Sequence, residues 1–252
     1  MNVAAVGDVH IGTDSVGRLA QHLRDVDQHA DVLLLAGDLS RRGQLDEARV
    51  VVGELADVTV PVVAVLGNHE FESELHDEFR AVLEDAGVTV LEGESTVIDV
   101  DGQQLGIAGT VGFGGGFPGA TCADFGEAEM KHFVARSRDL ASALAHRLRE
   151  LADARVQTRI ALLHYAPVRD TLTGEHPELY PFLGSHWLAD AADRGGADLV
   201  LHGHAHHGVE RGLTPGGIPV RNVAQPVIRR PYAVYRVGEG SDVDHTGQLT
   251  AR

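Results

Sequence analysis

The chain has 252 residues, 43% of them hydrophobic, and a single cysteine, Cys122. That length supports one sizeable core, and a lone cysteine excludes both a disulfide framework and a thiolate zinc cluster. Lys and Arg total 21 against 37 Asp and Glu, a net charge of −16, which disfavours binding to a nucleic-acid polymer, whose affinity comes largely from cations at phosphates.

Strand-like and helix-like runs alternate from the start. Residues 3–6 form a short apolar strand, and its place at the N-terminus reads as fold, not signal peptide. Helical spacing follows over 14–29, carried by Val16, Leu19, Ala20, Leu23 and Val26. A buried strand at 32–36, a helix at 45–56, a strand at 61–66, a helix at 73–86 and a short strand at 88–91 come next. Strand–helix–strand units of this length favour parallel pairing with right-handed crossovers. The middle changes character, with two alternating runs, 96–100 and 104–108, flanking Asp101-Gly102 as a hairpin. A long amphipathic helix is predicted over 127–152, strands at 159–164 and 198–201, and a helix at 185–194 between them. Closing strands, read as antiparallel, are expected at 220–223 and 232–237. Residues 1–237 are expected to form one domain, and 238–252 a flexible polar tail. No segment approaches the ~18 uninterrupted apolar residues of a membrane span, and the composition fits a cytoplasmic setting.

Five segments carry chemistry: Asp8-Val9-His10, Gly37-Asp38, Gly67-Asn68-His69-Glu70, His164, and Gly203-His204-Ala205-His206. Each stands where a predicted strand gives way to a loop. In α/β sheets ligands collect at the carboxyl ends of strands, so segments far apart in sequence would converge there. Singly, Asp-x-His and Gly-Asp are ordinary caps and turns. Jointly they supply the imidazoles, carboxylates and carboxamide that two adjacent divalent metals need. Two such metals about 3.5–4 Å apart are a standard device for in-line attack on phosphorus.

In this order, the segments resemble the calcineurin-like metallophosphoesterase superfamily over most of the chain, from Val3 to about His206. The resemblance implies a four-layer α/β/β/α sandwich with two mixed β-sheets. It implies that Asp8, His10, Asp38 and His206 hold one metal and that Asp38, Asn68, His164 and His204 hold the other, with Asp38 bridging. A metal-bridging hydroxide would be the nucleophile and His69 the general acid. The expected cofactor is two divalent metal ions, Mn or Fe first, with Zn, Co, Ni or Mg also accommodated.

The Gly-Asp block continues Leu39-Ser40-Arg41-Arg42-Gly43. The protein Ser/Thr phosphatases of the superfamily have an acidic residue where Arg41 stands and a phosphate-binding Arg where Arg42 stands, so Arg42 is a candidate substrate contact. Tyr165, directly after His164, is the second such candidate. It opens a segment, 165–184, expected to act as a lid or specificity wall. The Gly-rich stretch 109–119 lacks the Gly-Lys-Ser/Thr of a nucleotide loop and reads as a flexible connection, the alternative being that it presents backbone N–H groups, or Phe113 and Phe117, toward the site. His202 and His207 are expected to support or flank the site, not to bind metal. The resulting reading is a phosphodiesterase acting on a small phosphoester. The alternatives are a phosphomonoesterase on a small metabolite or phosphoprotein and, ranked last, a non-catalytic scaffold.

Overall fold

The computed structural model describes residues 1–238. The expected tail therefore lies, beyond Gly238, outside the described residues. In chain order the strands are β1 (Asn2–Val6), β2 (Val32–Ala36), β3 (Val62–Val65), β4 (Thr89–Val90), β5 (Glu94–Val100), β6 (Gln103–Thr110) and β7 (Gly116–Phe117). They continue with β8 (Ala120–Thr121), β9 (Thr158–Leu163), β10 (Leu199–His202), β11 (Arg211–Leu213), β12 (Pro219–Asn222) and β13 (Ala233–Arg236). The helices are α1 (Ala20–Leu23), α2 (Leu45–Leu55), α3 (Asn68–Phe71), α4 (His76–Asp85), α5 (Ala128–Asp153), α6 (Tyr180–Leu183), α7 (His186–Gly195) and α8 (Gln225–Ile228).

Two mixed sheets form, ordered β13-β1-β2-β3-β4 and β11-β12-β10-β9-β6-β5. In the first, only β13 runs antiparallel to its neighbour. In the second, β6, β9, β10 and β12 are parallel, and β5 and β11 close the edges antiparallel. The central strands are nearly continuous apolar runs because both faces are covered. Alternate side chains go to opposite faces. Val3, Ala5, Leu34 and Val63 meet Ile107, Ile160, Leu162 and Leu201 between the sheets. Ala4, Val6, Leu33 and Leu35 point outward and pack with Val51, Phe79 and Leu83 of α2 and α4. Ala108, Leu163 and Val200 lie under Leu144, Leu148 and Leu188 of α5 and α7. This is the α/β/β/α sandwich. The β5–β6 hairpin closes on Asp101 at φ 52° and Gly102 at φ 80°, the paired positive φ of a type I′ turn.

Three expectations need correction. The helix over 14–29 shrinks to α1 and a 3₁₀ turn at Val26–Gln28. Gly17 adopts φ 78°, and the buried Glu54 carboxylate of α2 accepts the N–H groups of Gly17, Leu19 and Ala20, so a side chain from elsewhere starts the helix late. The strand at 220–223 is β12, parallel to β10 through Val200↔Val220, with an unexpected β11 antiparallel beside it. The Gly-rich stretch is not a loose connection. It ends in the β7–β8 ribbon, Ser137 of α5 donates to the Gly114 carbonyl, and Phe117 is buried with Ala166, Leu172 and Ala205.

Candidate metal centre

The loops after β1, β2, β3, β9 and β10 leave their sheets at a shared edge. The first two are laced together: the N–H of Asp8 donates to the Gly37 carbonyl at 3.0 Å, His10 to Asp38 at 3.1 Å and Arg41 to Ile11 at 3.1 Å. Asp8, His10, Asp38 and His204 all take positive φ, from 45° to 69°. Left-handed backbone is uncommon outside glycine, costs energy, and clusters at functional sites. Here it turns side chains back toward one point immediately after a strand ends. The glycines before the ligands serve a different need. A β-carbon on Gly37 would lie 2.6 Å from His164 Nδ1, one on Gly67 2.1 Å from Asp38 Oδ1, and one on Gly203 2.3 Å from Asp8 Oδ2. Each glycine thus clears room for a side chain from a different segment.

Two donor groups result. Asp8, His10, Asp38 and His206 present ligand atoms within 4.8 Å of one another, and Asp38, His164 and His204 do the same. Asn68 joins the second group, its Oδ1 lying 2.9 Å from His164 Nε2. The first sheet contributes Asp8, His10, Asp38 and Asn68; the second contributes His164, His204 and His206. Asp8 and Asp38 are 2% and 1% exposed, and among the described residues neither pairs with Lys or Arg. Their neighbours are imidazoles: His206 Nε2 at 2.8 Å from Asp8 Oδ1, and His164 Nε2 at 3.3 Å from Asp38 Oδ1. His10 Nε2 lies 3.4 Å from His206 Nε2.

This donor set fits divalent cations. His164 Nδ1 donates to the Ala36 carbonyl at 2.9 Å, so its Nε2 faces two oxygens, Asn68 Oδ1 and Asp38 Oδ1; against the effect of burial, Asp38 and Asp8 raise this imidazole, favouring positive charge at that point. Converging acceptors of this kind are balanced by a cation among them. Mixed imidazole, carboxylate and amide ligation suits transition metals more than Ca²⁺. Burial and the neighbouring His164 push the His204 imidazole down to about 3, the neutral form a metal ligand needs. Burial also lowers His10, whereas the hydrogen bond to Asp8 raises His206.

His69 stands beside both groups, its Nε2 3.7 Å from Asp38 Oδ2 and its ring 4.6 Å from that of His10. Its Nδ1 donates to the Arg41 carbonyl at 2.5 Å, leaving Nε2 to face the cleft. The two candidate substrate contacts differ. Tyr165 is 8% exposed and its ring lies 4.3 Å from that of His204. Burial first, then Asp38, raises its phenol to about 12. Arg42 is exposed and lies in the loop before α2, its N–H donating to Glu47 at 2.8 Å; its side chain makes no hydrogen bond or ion pair with a donor-group residue. Segment 165–184 does reach the centre, since its first residue, Tyr165, lies against the His204 ring. His202 is fully buried against Thr171 and the Gly203 carbonyl and is pushed down to about 4 by burial.

Two supporting residues had no role assigned from sequence. Glu70 accepts from the N–H and hydroxyl of Ser40 and from the N–H of Gly67, each at 2.8 Å, tying the β2 and β3 loops together. Its bond to the Gly67 N–H, three residues back, is the carboxylate half of a capping box, the glycine having no side chain to supply the other half. Asn222 of β12 donates to the Ala205 carbonyl at 2.8 Å and accepts from Ala224 N at 3.1 Å, holding the Gly-His-x-His loop. Nothing local in the sequence marks it.

The fold recurs in solved structures. The phosphopantetheinyl hydrolase PptH from Mycobacterium tuberculosis is 19% identical, with a TM-score of 0.61 and 90% of each chain covered. A putative 5′-nucleotidase from Staphylococcus aureus is 16% identical, with a TM-score of 0.58 over 95% of this chain and 52% of that one. GAP50, the anchor in the inner membrane complex of Plasmodium, is 12% identical, with a TM-score of 0.55 over 90% and 72%. At these identities the likeness shows the fold alone. No curated protein matches the chain. No helix among the described residues is long and apolar enough to cross a membrane. The sequence model of the calcineurin-like phosphoesterases matches residues 1–208, four-fifths of the chain, and the same stretch supplies both donor groups: the chain belongs to the calcineurin-like phosphoesterase family, metal-dependent hydrolases of phosphoester bonds.

Proposed function

We propose that residues 1–237 act as one domain that hydrolyses small phosphodiesters, with two divalent ions, Mn or Fe first, held by Asp8, His10, Asp38 and His206 and by Asp38, Asn68, His164 and His204. The observation that carries this reading is His69, locked through Nδ1 onto the Arg41 carbonyl with Nε2 beside the shared carboxylate. When bound, the metal pair supplies Lewis acidity and a water acidified toward neutrality. Asp38 serves both donor groups, and its Oδ1 is steadied by the His69 N–H at 2.9 Å. Asp8 is held by the His204 N–H at 3.0 Å. His69 gives its Nε2 proton to the leaving alkoxide, and the carbonyl on Nδ1 keeps the ring aimed as that charge is lost.

A diester is favoured over a monoester on electrostatic grounds. Among the described residues no Lys or Arg pairs with the donor-group carboxylates, and Arg41 is spent on Asp14 at 2.8 Å. The single negative charge of a diester therefore matches the site better than the two of a monoester. The side chains of His10, His69 and His206 are 23%, 36% and 35% exposed, an opening that admits substituents on both sides of phosphorus. Neighbours named as a phosphopantetheinyl hydrolase and a nucleotidase support the reaction class. The expected setting is cytoplasmic, with no nucleic-acid polymer as partner.

The test is Mn²⁺-supported turnover of bis-(p-nitrophenyl) phosphate against p-nitrophenyl phosphate, with Asn68→Ala as the blank. A ratio well above one is expected. A ratio well below one moves the assignment to monoesters. Activity no greater than the blank on both, with no bound metal, leaves a scaffold.

A further inference from the structure

Arg136 lies on the exposed face of α5, yet its guanidinium sits 4.9 Å from the centroid of the Phe113 ring and 5.7 Å from that of Phe71. Both distances are within cation–π range. Phe71 ends α3, the short helix that begins with Asn68 and His69. Phe113 lies 5.7 Å from the ring of Tyr165, which in turn lies 4.3 Å from the ring of His204. The guanidinium is thus joined through Phe113 and Tyr165 to His204 of the second donor group, and it packs on the last residue of the short helix that begins with Asn68.

Its neighbours on the surface are spent differently. Arg138 on the same helix pairs with Asp124 at 2.9 Å, Arg80 with Glu84 and Glu94 at 2.8 Å, and Arg147 with Glu150 at 2.8 Å. In a chain with 37 acidic residues, Arg136 has no carboxylate partner among the described residues. Nor does the Tyr165 hydroxyl hydrogen-bond to any of them. Stacking holds the guanidinium in place while leaving its edge donors free, an arrangement suited to two-pronged recognition of an anion. Because the ring faces fix its orientation beforehand, less side-chain freedom is lost on binding.

We propose that Arg136, Phe71, Phe113 and Tyr165 form a substrate subsite beside the metal centre that binds a second phosphate group, carried by the phosphoester away from the phosphorus under attack. Arg136 grips that group, and the Tyr165 hydroxyl donates to it or to the linking chain. The subsite rests on the phosphoesterase reading for the presence of a first phosphoryl group at the metals. It sorts substrates within that reaction: phosphoesters with a remote phosphate over those with a neutral or bare tail.

The probes are non-hydrolysable. Alkane α,ω-diphosphonates of increasing length are compared with monophosphonates of the same length by titration calorimetry on the Mn²⁺-loaded protein. At the best length the diphosphonate is expected to bind about tenfold or more tightly than its partner, the scale of one charge-assisted hydrogen-bonded pair. Arg136→Gln should bring the two affinities within about twofold, Arg136→Lys should keep part of the preference, and Phe113→Leu should weaken it without abolishing it. Wild-type protein with no preference at any length overturns the subsite, as does an Arg136→Gln variant that keeps the full preference. Wild-type turnover of bis-(p-nitrophenyl) phosphate is measured alongside. Turnover without the preference removes the subsite alone; the preference without turnover removes the diesterase reading alone.

Discussion

Gly67 offers the sharpest test of how the centre is assembled. A β-carbon there would lie 2.1 Å from Asp38 Oδ1 and 2.2 Å from the Asp38 backbone nitrogen, where ordinary contact begins at 3.4 Å. The carboxylate can swing aside, but the backbone nitrogen cannot, so the two loops must part by about 1 Å or more. Asp38 belongs to both donor groups, so its displacement disturbs both ions together. A misplacement of about 1 Å costs on the order of 10²-fold in rate. Gly67→Ala should therefore lower kcat/KM on bis-(p-nitrophenyl) phosphate by about that factor and weaken Mn²⁺ binding in calorimetry. Gly53→Ala is the control. Gly53 lies on the exposed side of α2 with nothing within 4 Å of the added carbon, so activity should hold and stability should rise by about 0.5–1 kcal/mol. Full Mn²⁺ stoichiometry, affinity and turnover in Gly67→Ala would refute the steric argument.

Three further expectations follow from particular side chains. His69→Ala should retain both metals by elemental analysis and lose far more turnover on alkyl esters than on aryl esters, whose leaving groups need no proton; equal losses would sink the general-acid role. Asn222→Ala strips two partners from a fully buried amide and should cost about 1–3 kcal/mol in denaturant melts, with weaker Mn²⁺ affinity because the His204–His206 loop loosens. Glu92 gives a pH dependence: burial pushes its carboxyl from 4.5 up to about 7 while it accepts the Leu66 N–H. Between those values the folded protein holds a proton that the unfolded chain has lost, so this group's contribution is full below 4.5 and disappears as pH rises through 7. The loss approaches roughly 3 kcal/mol at 1.36 kcal/mol per unit. Glu92→Gln should flatten that slope in metal-free protein; an unchanged slope would remove Glu92 as its cause.

What could be read from sequence was whatever depends on spacing along the chain. Apolar runs with period two or near four gave the principal strands and helices, Asp101-Gly102 gave the hairpin, and the five donor-bearing segments stood out at predicted strand ends. What could not be read was whatever one segment does to another. The start of α1 is set by Glu54, distant in sequence, and the direction of β12 by its pairing with β10. The Gly-rich stretch looked loose because its anchor, Ser137, lies on a helix not yet formed when only the string is in view. The positive φ of Asp8, His10, Asp38 and His204 could not be read from residue type, because Asp and His, though enriched in the left-handed region, occupy it at only a small minority of their positions. Arg136 was invisible for the same reason: helical periodicity puts it on the solvent side of α5, and only the tertiary fold reveals the ring faces it covers.

The donors come from both sheets, and that has a mechanical consequence. Between the strands of the two sheets the contact is apolar, and direct hydrogen bonds from sheet to sheet gather at the edge that bears the site, from the Gly7 N–H to the Val223 carbonyl, from the Gln225 N–H to the Gly7 carbonyl and from His164 to the Ala36 carbonyl. Ions shared between Asp38 of one sheet and His164 and His204 of the other would add a rivet at that edge. Metal occupancy and rigidity then become one variable. At free ion a hundredfold above its dissociation constant, the native state gains about 2.7 kcal/mol, and the gain should surface as slowed amide exchange in β2 and β9, the strands that lead into Asp38 and His164.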